Sequence, residues 1–145
     1  MKKPLLFCSL IGALSGCYSE TDILPESSSP ASRAVGLYRT NFYLDPSSVA
    51  IPADKMPYTE LRAESDSTLT LTYTKFYPTP SSQFIQHILV RQQSDGIQFE
   101  LAGAAIGTLK VDRIFTNNGM EKQGQLLRLT LPGDSTNNLN FSGIQ

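Results

Sequence analysis

The stretch Thr68–Tyr77, TLTLTYTKFY, decides the fold. Its threonines at 68, 70, 72 and 74 fall on one side of an extended chain, and Leu69, Leu71 and Tyr73 fall on the other. Side chains of a strand alternate between faces, so this spacing describes a β-strand with one apolar and one polar side. A helix would spread the same residues around its circumference, and so many β-branched threonines would weaken it.

Working outward, Gly96–Ala102 sets Ile97, Phe99 and Leu101 against Gln98 and Glu100. Gln125–Leu131 sets Leu127, Leu129 and Leu131 against Arg128 and Thr130. Less regular runs of the same kind are Val35–Leu44, Tyr58–Ala63, Phe84–Gln92, Ile106–Ile114 and Leu139–Ile144. Together they make about eight strands, and no helical period is sustained between them. One short helical turn is expected, near Ala53–Met56.

Turn residues separate the runs. Ser94-Asp95-Gly96 and Asn117-Asn118-Gly119 suit tight hairpins, because Asp, Asn and Gly accept the positive φ such turns require. Asp45-Pro46, Pro78-Thr79-Pro80 and Pro132-Gly133-Asp134 interrupt the chain at other junctions. Short connections favour an antiparallel meander, and closing it into a small barrel removes exposed edges. The fold class is therefore all-β, with a Greek-key β-sandwich as the alternative that explains the same alternation.

The amino terminus has a different character. Lys2 and Lys3 precede an apolar, uncharged stretch, Leu5–Leu14, which is far shorter than the roughly 20 residues a membrane-spanning helix needs. Leu14-Ser15-Gly16-Cys17 follows and resembles the bacterial lipobox. That resemblance implies cleavage before Cys17, with a diacylglycerol on its thiol. It also implies anchoring in a membrane by acyl chains, each buried CH2 contributing about 0.8 kcal/mol. Tyr18 stands where an Asp would favour inner-membrane retention in enteric-type bacteria, so the expected location is the outer membrane.

These features divide the chain into a signal peptide, Met1–Gly16; a lipidated cysteine with a flexible tether, Cys17–Arg33; and one globular domain, Ala34–Gln145. The tether is rich in Ser, Pro and acid, and such a composition cannot bury enough surface to offset its ordering entropy. Loss of the signal removes two lysines and no acid, so the net charge moves from −1 to −3. That mild acidity gives no footing for a nucleic-acid partner.

Gly36-Leu37-Tyr38, at the head of the first run, resembles the Gly-x-Trp that opens the first strand of lipocalins and related calycin barrels, with tyrosine in place of tryptophan. The resemblance implies an eight-stranded antiparallel barrel around a small apolar or amphipathic ligand. It further implies that Arg128 takes the place of the arginine that packs over the first-strand aromatic ring. Ligand-binding candidates are accordingly Tyr38, Tyr73 and Phe99 on inward faces, with Arg128 for an acidic headgroup.

Chemistry beyond binding is hard to find. Cys8 lies in the segment to be removed, so the mature chain has no thiol except the lipidated one, and neither a disulfide framework nor a cysteine zinc site is available. The single histidine, His87, shares a strand face with Ile85 and Leu89 and reads as a packed residue. No catalytic residue, metal ligand set or cofactor motif emerges, and an enzyme is not expected. Two functions remain. One is an envelope lipoprotein that binds a small ligand; the other is a structural or interaction lipoprotein serving as an accessory subunit or assembly partner in the outer membrane.

Overall fold

The computed structural model describes residues 28–133 and 138–145; the expected signal peptide, Cys17 and most of the expected tether lie outside them. Eight strands follow in chain order: β1 Gly36–Arg39, β2 Tyr58–Ala63, β3 Thr68–Lys75, β4 Ser81–Gln93, β5 Gly96–Leu101, β6 Ala104–Phe115, β7 Glu121–Leu131 and β8 Leu139–Ile144. Each pairs antiparallel with the next, and β8 returns to β1, so the meander closes into a barrel. The sandwich alternative is excluded. The closing seam is narrow, with Arg39 opposite Ile144 as the one register pair between β1 and β8 among the described residues.

Strand alternation builds the core directly. Leu69 and Leu71 of the deciding stretch are fully buried, as are Leu127 and Leu129 of β7, and all belong to one apolar cluster with Phe99 and Phe141. Two bulges bend the wall. Leu69 faces Ile88 while Leu71 faces Ile85, which leaves an extra residue at Gln86–His87 in β4. Phe99 faces Gly107 while Glu100 faces Ala105, which leaves Ile106 extra in β6. Bulges raise local twist and bend, and that coiling lets a small sheet close on itself. Gly107 is required here: a Cβ would run into the carbonyl oxygen of Arg128 and the side chain of Leu129 on β7.

The expected tether ends sooner than its composition suggests. Pro30–Ala34 forms a short helix, α1, with Pro30 opening it and Ser29 Oγ accepting from the Ser32 N–H at 3.1 Å. Ala31 and Ala34 are fully buried within the barrel's apolar cluster. The Ala31 N–H donates to the Asp66 carbonyl in the β2–β3 turn, and Arg33 Nη1 donates to Gln92 Oε1 near the end of β4. Pro30–Arg33 thus closes one end of the barrel as part of the domain.

At its other end, β1 stops at Arg39, five residues before the expected Leu44. Asn41 turns the chain: its Oδ1 accepts from the N–H groups of Tyr43 and Leu44, and its Nδ2 donates to the Phe115 carbonyl at 2.8 Å. The chain therefore leaves the wall and crosses to the tip of the β6–β7 hairpin, where the Tyr43 and Phe115 rings lie 5.4 Å apart. It returns through 3-10 turns at Pro46–Ala50 and Ala53–Lys55, the second where a helical turn was expected. Ile114 and Leu126 are buried although their register places them on the face opposite Leu109 and Leu127.

Candidate functional site

Three of the four expected ligand-binding residues share the inner face, and they do different work there. Tyr38 is fully buried, and its hydroxyl donates to the Ala34 carbonyl at 2.9 Å. Burial pushes its phenol up to about 12. Phe99 is likewise buried within the apolar cluster, so both rings fill the interior as packing. Tyr73 sits towards the opposite end, edge-on to Phe141 with ring centroids 5.7 Å apart. Arg128 stands on the outer face between Thr108 and Ser142, largely exposed, with Asp112 at 4.0 Å. It neither covers Tyr38 nor lines the interior, and the lipocalin-type arginine contact is absent at this position.

Tyr73 borders a hollow of about 370 Å³ whose lining also includes Thr40, Asp45, Ser47, Asn140 and Ser142. The seam explains its position. After Arg39 the chain has left the ladder, whereas β8 continues back to Leu139. The edge of β8 at Asn140–Ser142 therefore faces the departing chain across a gap where further rungs would otherwise lie. Leu44, Pro57 and Phe141 contribute the apolar part of the wall.

The electrostatics of this hollow are one-sided. Asp45 is its one charged residue among the described residues, with no Lys, Arg or His in the lining. Asp45 Oδ1 accepts from both the backbone N–H and the hydroxyl of Ser47, at 3.0 and 2.6 Å. Burial, and secondarily the charge of Asp45, raises the Tyr73 phenol above its ordinary value, so that hydroxyl keeps its proton as a donor. Thr40 is 5% exposed, and its Oγ1, shielded from solvent like that of Thr59, has no hydrogen-bond partner among the described residues. A buried hydroxyl in that state costs free energy, about 1–3 kcal/mol, unless something completes it. The sequence does not single out Thr40 and Asp45, because one lies within the expected run Val35–Leu44 and the other precedes a turn proline.

His87 is not the packed residue that its strand neighbours suggested. It occupies the β4 bulge at φ 58°, and its side chain is 83% exposed. Its N–H donates to Glu64 Oε1 at 3.2 Å, and its Nδ1 lies 3.1 Å from Glu64 Oε2. Thr70 Oγ1 also donates to Glu64 Oε1. That hydroxyl first, and then His87, hold the Glu64 carboxyl below its usual range. The pair orients an imidazole, but no nucleophilic side chain is hydrogen-bonded to the ring among the described residues. No group of three or more metal-ligating side chains occurs among them either.

In comparison with known proteins, no family model, no curated protein and no solved structure matches this chain.

Proposed function

We propose that this chain is a lipid-anchored binding module of the cell envelope, in which a closed barrel presents one small polar ligand site at its seam. The observation that carries this reading is the hollow at the seam, where Asp45 and Tyr73 meet and the Asp45 bonds to Ser47 engage Oδ1 alone. Its volume falls within the range of about 300–1,000 Å³ typical of small-molecule sites. Tyr38 and Phe99 occupy the barrel interior, so a ligand meets the polar seam rather than an apolar core. Native mass spectrometry of the full-length lipoprotein released from detergent should show a small adduct that is weakened by Asp45→Asn and by Tyr73→Phe. A spectrum without any adduct, from protein isolated gently from its own membranes, would sink the reading.

The anchor is proposed on Leu14-Ser15-Gly16-Cys17, with the outer membrane as the location favoured by Tyr18. Cys17→Ser should abolish incorporation of labelled palmitate and move the protein from the detergent phase to the aqueous phase. Unchanged partitioning would remove the anchor from the proposal and leave the barrel.

A second reading is an accessory or assembly subunit. It is favoured by the exposed apolar group at the β6–β7 hairpin tip, where Tyr43 and Phe115 stack and Met120 stands exposed beside them. A stoichiometric partner recovered from solubilised membranes, and lost on Met120→Glu, would support it.

A further inference from the structure

We infer that the seam hollow takes an organic ammonium, a primary amine on a short apolar body, in preference to an alcohol or an acid of the same shape. The inference rests on the ligand-binding reading above and adds the chemical class of the ligand.

Two oxygens of the lining stand free. Asp45 meets Ser47 through Oδ1 alone, and its Oδ2 has no hydrogen-bond or ion-pair partner among the described residues. The Tyr73 hydroxyl has no partner among them either. The unpartnered side-chain oxygens shut away from solvent there are Thr40 Oγ1, Thr59 Oγ1 and Gln125 Oε1. Asp45 and Tyr73 are half-buried, and their free oxygens lie outside that set, so both keep accessible surface. The two residues are also close in electrostatic terms, since the Asp45 charge adds to burial in raising the Tyr73 phenol.

These groups call for a positive ligand. Asp45 is the one charged residue of the lining among the described residues, so the carboxylate has no counter-charge of its own. An ammonium brings that charge together with three N–H donors and no acceptor. One N–H reaches Asp45 Oδ2, and a second reaches a lone pair of the Tyr73 oxygen, which the raised phenol keeps neutral. The Tyr73 and Phe141 rings stand edge to face with centroids 5.7 Å apart, and with Leu44 and Pro57 they give the carbon body an apolar wall.

Other classes fit less well. An acid of the same shape would meet Asp45 with no cation in the lining to offset it. An alcohol could donate one hydrogen to Oδ2, but it supplies no charge, and bonds with an ionised donor and acceptor are the stronger kind. A fatty acyl chain would cover both oxygens without pairing either, which is unfavourable.

The experiment is a ligand-observed NMR titration of the full-length lipoprotein in detergent, with empty micelles as the blank. Butylamine, butanol and butyrate are the probes, because they share an alkyl chain and differ at its end. Butylamine should bind about tenfold more tightly than butanol, with butyrate weakest. Asp45→Asn keeps an equally good cap for the turn at Pro46–Ala50. It should weaken butylamine about tenfold and leave butanol within about threefold. Tyr73→Phe keeps the ring and should weaken butylamine about threefold. A lysine side chain carries the same ammonium, so Nα-acetyl-lysine methylamide tells the two sources apart. Tighter binding than butylamine assigns an amine presented by a protein, and equal or weaker binding assigns a free one.

The outcomes separate the two readings. Suppose a native adduct is weakened by Asp45→Asn and Tyr73→Phe, yet butylamine fails to bind or binds no better than butanol or butyrate. The amine assignment is then overturned and the ligand site stays. Butylamine binding that ignores both substitutions, in variants that melt like the parent, places the amine elsewhere and overturns the inference. Absence of both probe binding and a native adduct removes both readings.

Discussion

The Tyr38 hydroxyl donates to the Ala34 carbonyl at 2.9 Å, which ties the inner wall of the barrel to the helix closing its end. Both residues are fully buried, so the bond is shielded from water and the helix terminus has one carbonyl satisfied by the core itself. One tyrosine thereby contributes ring volume to the barrel and a fixed position to α1.

Tyr38→Phe should keep the packing and lose this bond, at a cost of about 1 kcal/mol measured by urea unfolding near neutral pH. The alkaline behaviour gives a second readout. An unfolded tyrosine ionises near pH 10, whereas burial holds Tyr38 at about 12 in the folded chain. The unfolded state thus releases protons first, and stability falls as pH rises through that window, by up to about 1.4 kcal/mol per pH unit. The phenylalanine variant should show a flatter decline between pH 10 and 12, Tyr73 contributing what remains in the same sense.

Gly107 lies where β6 approaches β7 too closely for any side chain. Gly107→Ala should destabilise by about 1–3 kcal/mol through overpacking against Arg128 and Leu129, and Gly107→Val by more. Chemical denaturation midpoints measure both. An alanine variant as stable as the parent would show that the two strands stand further apart.

Glu64 is held ionised by Thr70 and His87, and its folded carboxyl lies below the ordinary range. A depressed acid contributes stability above the unfolded carboxyl range and loses it as pH falls through that range towards the folded value. The parent should therefore lose stability relative to Glu64→Gln on acidification from pH about 5 to about 3. Equal pH slopes for the two proteins in thermal melts would refute the linkage.

Ala102 and Gly103 form the β5–β6 turn, both at positive φ, with Ala102 at 51°. The left-handed region costs an L-residue about 1–2 kcal/mol, and glycine brings back about 0.5–1 kcal/mol of chain entropy. Ala102→Gly should therefore stabilise the barrel by about 0.5–1 kcal/mol, seen as a raised melting temperature. The side chain is exposed, so packing adds little to the balance.

Much of the wall could be read in advance, because alternation reports directly on which side of a strand meets the core. Tyr58–Ala63 and Leu139–Ile144 appear with the same bounds in the structure. Other runs err at their ends. β4 begins at Ser81 rather than Phe84, and β7 begins at Glu121 rather than Gln125, because ladder pairing with a neighbour extends a strand through polar residues that show no pattern. The helix Pro30–Ala34 escaped notice because its buried face consists of two alanines, which hydrophobic periodicity barely registers.

The candidate site was less legible still. Tyr73 was singled out, but Thr40, Asp45 and Asn140 carry no local signature, and their meeting depends on where β1 departs from β8. His87 shows the same limit: an added residue in β4 rotates it out of the face that simple alternation assigned.

By itself, then, the order of residues determined the all-β class, the number of strands and the inward set from Leu69 to Leu129. Those follow from the two-residue period of an extended chain and the gain from burying apolar surface. The barrel was expected from the sequence with a sandwich as its alternative, whereas the one-pair seam, the outward Arg128 and the polar hollow were decided by tertiary structure alone. They arise from strand stagger, bulges and a loop anchored by Asn41 to a distant hairpin, and such long-range register leaves no imprint on neighbouring residues.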